Sequence, residues 1–327
     1  RRLFDGILQI VRFDRLKRML CDVMLDRPLV EIVADEETEV SAEEVLGKFC
    51  GTVENVTFHR IPTDGFWCRD NGPMFGEDAK GPVIIEWGFN GWGKHERWND
   101  EKVPAAVAAK LDLRLRDRKD LILEGGALEF NGSNIMIASW PCLHARNELL
   151  TQADVEVTLL ETLDVEHVIW LTKYPSDERL TRGHTDSICR FIDAHRAVVG
   201  RICDRSDRDR EVYEEATKIL EKAERGTLRV ERMNIPGQIS LIGRQTPVRV
   251  NYLNWYVANG VVLYGTFDRL EWDEAAKATI EQYWPGRKVI GIDVRELWWQ
   301  GGGIHCVTQQ EPYCTRRAKG KQVAEWL

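Results

Sequence analysis

The sequence predicts a mixed α/β fold built from five similar strand-and-helix units that bring five strand ends to one central site. Three observations predict it. Apolar runs of strand length alternate with amphipathic helical patterns along the chain, and no low-complexity linker interrupts them. A polar or ionisable residue also follows an apolar run at Asp70, Glu124, His184/Asp186, Asn254 and Cys306. The gaps between these points are 54, 60, 70 and 52 residues, close to one fifth of the 327-residue chain. Repeats of such length can close into a ring of similar units. The chain 1–327 is read as one domain.

Taken in order, apolar positions from Leu3 to Leu16 recur at helical spacing and predict a helix over 2–25. A strand at 29–34 precedes a helix at 41–49, with Ser41 as its cap, and a strand at 56–61 runs up to Pro62. Strands are expected at 82–89 and 121–123, with a helix over 103–111 between them. Runs at 135–139 and 155–160 read as strands around a short helix, and 168–171 follows. The segments 188–192 and 197–200 read as a hairpin, and 209–224 is the clearest amphipathic helix. Strands at 228–233, 252–258 and 261–264, a helix over 272–283 and a strand at 289–292 complete the pattern. The last strand leads into Gly301-Gly302-Gly303-Ile304-His305-Cys306. Three consecutive glycines let the backbone bend where a side chain would clash, and they deliver one cysteine at the end of the turn.

Composition narrows the function. A 43% hydrophobic content suffices for a packed core, while a net charge of −8 without any long basic run argues against a nucleic-acid partner. There is no apolar stretch of membrane-spanning length and no signal peptide. The eight cysteines are scattered with no C-x-x-C pair, so neither a zinc ribbon nor a disulfide scaffold is suggested. A reducing compartment, the cytoplasm, is expected. Assembly into a homo-oligomer such as a dimer is compatible with the sequence. The chain opens at Arg1-Arg2 without an initiator methionine, so a missing N-terminal segment is also expected.

Four stretches carry chemistry. Cys306 is a candidate nucleophile; the competing reading is an inert buried thiol. Asp70, in a Gly/Pro-bounded loop, could hold a planar guanidinium through two parallel hydrogen bonds, or could instead pair with Arg69. Glu124 ends an apolar strand and needs a partner, for which a histidine is a good candidate. His184 and Asp186, read as i and i+2 of a strand, would face one pocket, and the histidine could donate and remove a proton near neutrality. They offer only two ligands to a metal ion, so neither metal nor cofactor is expected. A nucleophile, an acid/base and carboxylates together suit attack on an sp² carbon that bears positive charge.

Six motifs occur in order: Phe66-Trp67-Cys68-Arg69-Asp70-Asn71-Gly72-Pro73, Phe89-Asn90-Gly91-Trp92-Gly93, Leu123-Glu124-Gly125-Gly126, Gly183-His184-Thr185-Asp186, the Tyr252–Gly260 stretch, and Gly301 to Gln310. Over about residues 3 to 312 the chain resembles the agmatine deiminase and bacterial-type peptidylarginine deiminase family, whose fold is the pentein, a five-bladed α/β propeller. The resemblance implies a metal-free hydrolysis of a small cationic guanidine, with agmatine as the expected substrate, giving ammonia and a ureido product. It implies Cys306 as the attacking thiolate and His184 as the acid and then the base. Asp70 and Asp186 would grip the guanidinium, Glu124 would orient His184, and Trp67, with Trp92 as a further candidate, would wall the pocket.

Departures from the family pattern bear on the substrate. The family commonly reads Glu-Thr-Asn-Gly-His ahead of the histidine, where this chain has Leu180-Thr181-Arg182-Gly183-His184. Ser187 replaces a frequent asparagine, and the usual N-terminal Trp-Pro strand is absent from the sequence. Loss of an acid and gain of Arg182 in the pocket wall would disfavour the distal amine of agmatine. Deimination of arginine or peptidyl arginine is therefore an alternative. Amidino transfer to an amine and a non-catalytic pentein-fold binding protein are the others.

Overall fold

The computed structural model describes residues 30–34, 39–40, 56–94, 98–241, 246–258 and 260–311. The helices expected over 2–25 and 41–49 lie outside the described residues. Strands β1 (Val30–Ala34) and β2 (Val56–Arg60) pair in parallel.

Beyond them, four three-stranded sheets repeat one plan. The first contains β3 (Met74–Asp78), β4 (Gly81–Gly88) and β5 (Arg114–Ile122); the second β6 (Leu128–Phe130), β7 (Ile135–Ser139) and β8 (His167–Leu171). The third contains β9 (Cys189–Asp193), β10 (Arg196–Ile202) and β11 (Arg229–Ile235). A separate hairpin, β12 (Gly237–Ile239) and β13 (Val248–Val250), precedes β14 (Tyr256–Ala258), β15 (Val261–Thr266) and β16 (Lys288–Asp293) of the fourth. In every sheet the first two strands form an antiparallel hairpin and the third pairs in parallel with the second. A parallel neighbour requires a crossover, and helices supply it.

The turns that open these units position the site. A one-turn helix α1 (Cys68–Asn71) stands just before β3, and 3₁₀ turns at Gly125–Ala127 and Thr185–Ser187 stand just before β6 and β9. A further 3₁₀ turn, His305–Val307, ends the described chain's last unit. Turn α1 packs on both 125–127 and 305–307, and 125–127 packs on 185–187. The residues expected at strand tips, Asn254 apart, thus lie on or cap short turns that pack against one another.

The crossover helices are α2 (Val103–Leu111), then α3 (Trp140–Arg146) and α4 (Gln152–Leu163) in succession, α5 (Arg210–Lys222) and α6 (Leu270–Tyr283). A short α7 (Arg295–Trp299) leads into the glycine run. Each helix buries one stripe: α5 turns Val212, Tyr213, Ala216 and Leu220 onto β8 and β10.

Two expectations fail here. Residues 155–160 lie within α4, not in a strand. Thr151 and Asp154 form a reciprocal capping box, and Val155, Leu159 and Thr162 line one buried face at helical spacing. Valine's β-branching suggests a strand, but the cap and the core-facing period prevail. Residues 252–255 also lie outside a strand, which starts only at Tyr256. Instead the buried Arg190 donates Nη1 to the carbonyls of Leu253 and Trp255, at 2.9 Å each, and fixes the segment as a connector.

Candidate active site

Glu124, the N-cap of the 125–127 turn, is fully buried. Its Oε2 lies 2.8 Å from His184 Nε2, and Arg146 from α3 reaches Oε1 at 2.5 Å through Nε. Burial alone would favour the neutral acid, but His184 and Arg146 outweigh it and hold Glu124 ionised below the usual carboxylate range. Arg146 also donates Nη2 to the Leu180 carbonyl at 2.8 Å, which ties the segment leading to His184 onto the same carboxylate.

The other imidazole nitrogen, Nδ1, faces Asp70 Oδ1 at 3.6 Å. Burial would strip the proton from His184, but Asp70, the nearby Cys142 sulfur and Glu124 outweigh it, and the imidazolium persists well above its usual range. Asp70 accepts from Trp92 Nε1 at 3.0 Å and from the Gly126 amide at 3.1 Å. Burial raises its carboxyl to about 6 in spite of His184. Asp70 is thus not the partner of Arg69, whose Nε donates to the His305 carbonyl at 3.3 Å. Trp92, expected in the wall, is a buried donor to Asp70 and meets Phe89 edge to face at 5.2 Å.

Asp186 is placed differently from the expectation. Residues 185–187 form a 3₁₀ turn, so strand alternation does not aim His184 and Asp186. The turn separates them: His184 faces Glu124 and Asp70, while Asp186 Oδ2 sits 2.7 Å from His305 Nδ1 and 3.7 Å from Cys306 Sγ. Burial opposes the Asp186 charge, but the His305 hydrogen bond and the charges of His184 and Arg190 keep it ionised far below the usual range. His305 itself is held neutral by burial and by the neighbouring Arg190 and Arg69, so it acts as an Nδ1–H donor.

Cys306 lies in the His305–Val307 turn, half-buried, with Asn254 Nδ2 3.2 Å from its sulfur. Burial, Asp186 and Asp70 raise the thiol well above its usual range, and the Gly303 amide and Asn254 pull partly the other way. The glycine run is required by packing. A Cβ at Gly302 would stand 2.6 Å from the Trp67 ring and 2.9 Å from Cys306 Sγ, and one at Gly303 2.5 Å from Asn254 Oδ1. Trp67 therefore lies against the cysteine turn, stacked at a tilt on Phe66 with centroids 4.6 Å apart.

The structure thus brings Asp70, Glu124, His184, Asp186, Cys306, Trp67 and Trp92 into one contact network. Arg182, two residues before His184, is exposed, with a left-handed φ of 55°. Reading the sequence missed Arg146, His305 as the partner of Asp186, and Glu178. The last is half-buried and accepts from the Thr181 hydroxyl. Burial raises its carboxyl, which also feels the charges of His184 and Asp186. No motif marks Glu178; its approach depends on how the 174–183 segment folds.

One cluster among the described residues, Glu124, Cys142 and His184, has donor atoms within 4.8 Å of one another. The Arg146 guanidinium already occupies the cation position on Glu124, and the Cys142 thiol is pushed up to about 12 by burial. Those donors fit an organic ion-pair network better than a metal ion. Among the described residues, no helix is long and apolar enough to cross a membrane.

Comparison with known proteins gives a consistent answer. The agmatine deiminase of Pseudomonas aeruginosa (strain LESB58) is 32% identical over 286 residues, 79% of this chain and 77% of that protein. The Pseudomonas fluorescens agmatine deiminase is 32% identical over 288 residues, 80% of this chain and 78% of that protein. The solved agmatine deiminase of Enterococcus faecalis superposes with a TM-score of 0.81 over 91% of this chain and 87% of that one, at 21% identity, a likeness of fold. The family model of the Porphyromonas-type peptidyl-arginine deiminases matches residues 15–312, and the chain belongs to that family.

Proposed function

We propose that the protein is a guanidine iminohydrolase of the agmatine deiminase type, working through a covalent intermediate on Cys306. The observation that carries this reading is the position of Cys306 Sγ 3.7 Å from Asp186, on turns that also hold a doubly carboxylate-bound His184. We further infer that the four repeated sheets and the β1–β2 pair are the blades of a five-bladed pentein propeller. Its contacting turns would then be the hub. The scattered cysteines favour the cytoplasm as its compartment.

The resting site holds two carboxylates, an imidazolium and a thiol. A guanidinium bound between Asp70 and Asp186 cancels the charges that keep the thiol protonated, so substrate binding releases the thiol proton to solvent and leaves the thiolate. Sγ then bonds to the guanidinium carbon. As the tetrahedral adduct collapses, the carbon–nitrogen bond breaks and His184 gives its proton to the departing ammonia. The neutral imidazole next takes a proton from water, whose oxygen bonds to the thiouronium carbon. Breaking the carbon–sulfur bond expels the thiolate, the adduct's hydroxyl proton leaves to solvent to complete the ureido carbonyl, and the thiolate regains a proton from solvent once the site is free of the cation. Glu124, held by Arg146, keeps Nε2 of His184 engaged through both halves, and leaves Nδ1 to face the pocket.

Asp70 sets the acid limb. Its carboxyl is raised to about 6, so kcat/KM is expected to fall as the pH drops through that value and the guanidinium loses a counter-charge. Asp70→Asn should raise KM about 100-fold and remove that limb. A limb at the same pH in the variant would assign it to another group.

The tail of the substrate separates agmatine from the second reading. Glu178 restores an acid close to the site that Leu180 lacks, which favours a distal amine, whereas Arg182 and the family description favour arginine or a peptidyl arginine. The test is a guanidine panel (agmatine, arginine, blocked arginine, guanidinoacetate) assayed for ammonia, with products identified by mass. Agmatine is expected to be turned over best, with a Glu178→Gln loss of about tenfold in kcat/KM for agmatine alone. Best turnover of arginine or its blocked form, reversed by Arg182→Asn, would establish the second reading. A new guanidine in place of the ureido product would identify an amidinotransferase.

A further inference from the structure

We propose that Asn254 is a further catalytic residue, whose side-chain amide holds a hydrogen bond on the sulfur of Cys306 and stabilises the thiolate that attacks. The proposal rests on reading Cys306 as the nucleophile and concerns a residue given no part in the proton transfers or in gripping the guanidinium.

The orientation of the amide is fixed by its surroundings. Asn254 Oδ1 accepts the backbone N–H of His305 at 3.0 Å. Flipping the amide would set its NH₂ against that N–H, two donors face to face, so Nδ2 must be the atom that points at Sγ, 3.2 Å away. The position is fixed as well. Arg190 is buried between the carbonyls of Leu253 and Trp255, at 2.9 Å each, and clamps the backbone on both sides of Asn254. Across the pocket, Gly303 leaves room for the amide: a Cβ there would press to 2.5 Å of Asn254 Oδ1. The third glycine of the run is thus accounted for by Asn254.

The sulfur needs such a donor. Asp186, from the 185–187 turn, and Asp70, from α1, both face it with negative charge. His305, on its own turn, is neutral. Nearby positive charge is engaged elsewhere, His184 with Glu124 and Asp70, and Arg69 with the His305 carbonyl. Once the neutral ureido product stands where the cation was bound, the returning thiolate has the Asn254 amide and the Gly303 N–H as its donors. A thiol can still reach Asn254 Oδ1 at 3.6 Å or Asp186 Oδ2 at 3.7 Å, but a thiolate can only accept, and Nδ2 is placed for that form.

The test is the pH dependence of iodoacetamide alkylation, read by mass on the peptide that carries Cys306, in the full chain without substrate. In Asn254→Ala the midpoint is expected to rise by about 1 to 2 pH units, with kcat/KM down about 100-fold. Asn254→Ser, whose hydroxyl can still accept from the backbone, is too short to reach the sulfur and is expected to behave likewise; it covers the case in which alanine does not fold. A midpoint unchanged or lowered in whichever variant folds overturns the proposal. Because alkylation needs no turnover, this result is independent of whether the protein proves to hydrolyse guanidines.

Discussion

Cys306→Ala is expected to lower ammonia release by at least about 10⁴-fold while leaving the circular dichroism and melting temperature close to those of the wild type. The size follows from chemistry: without the sulfur at position 306, water would have to attack a resonance-stabilised cation directly. The stability expectation follows from charge. The thiol sits beside two carboxylates that disfavour its ionisation, and its turn is held by other groups: Asn254 on the His305 amide, Arg69 on the His305 carbonyl. Cys306→Ser should be equally inactive yet bind agmatine, since Asp70 and Asp186 remain. Residual turnover within tenfold of wild type in the alanine variant would remove the residue from the mechanism.

A single methyl group at Gly126 is also expected to be costly, though less so than loss of the sulfur. A Cβ there would collide with His184 Nδ1 and stand 2.8 Å from Asp70 Oδ1, between the imidazolium and its facing carboxylate. Neither can yield freely: His184 is fixed through Nε2 to Glu124, and Asp70 through Oδ2 to Trp92. Gly126→Ala should therefore displace one of them by about 1 Å and cost about 100-fold in kcat. The thiol lies on another turn, so Cys306 should still be alkylated at the wild-type rate. The check is that split, turnover lost with alkylation kept; unchanged kcat would show that the site tolerates the displacement.

How much of this could be read from the chain depended on the range of the signal. Helix 103–111 and the strand at 135–139 matched residue for residue, because each carries a strong local period between clear breakers. Residues 155–160 did not, since a valine-rich run suits either element and only the Thr151–Asp154 cap and the packing of Leu159 decide it. Strand 128–130 escaped notice because three residues carry no period. At the site, the glutamate ending an apolar run did require a histidine partner, and one lies 2.8 Å away. That Glu124 also holds Arg146, and that His305 rather than a neighbour of Asp186 holds that carboxylate, follow from contacts between segments over 20 and over 100 residues apart. Sequence spacing does not encode such contacts. The alternation argument for His184 and Asp186 reached the right neighbourhood through the wrong geometry, a 3₁₀ turn that aims the two side chains at different partners.

The shared basis of these expectations is a bond between sulfur and the guanidinium carbon. The most direct measurement is an acid quench of the enzyme during turnover of agmatine, followed by mass analysis of the digested protein. The account requires the peptide bearing Cys306, and no other, to gain the mass of the substrate less one ammonia. A substrate-derived mass on a different residue, or full turnover with no adduct at any quench time in wild type and in His184→Gln, would contradict it.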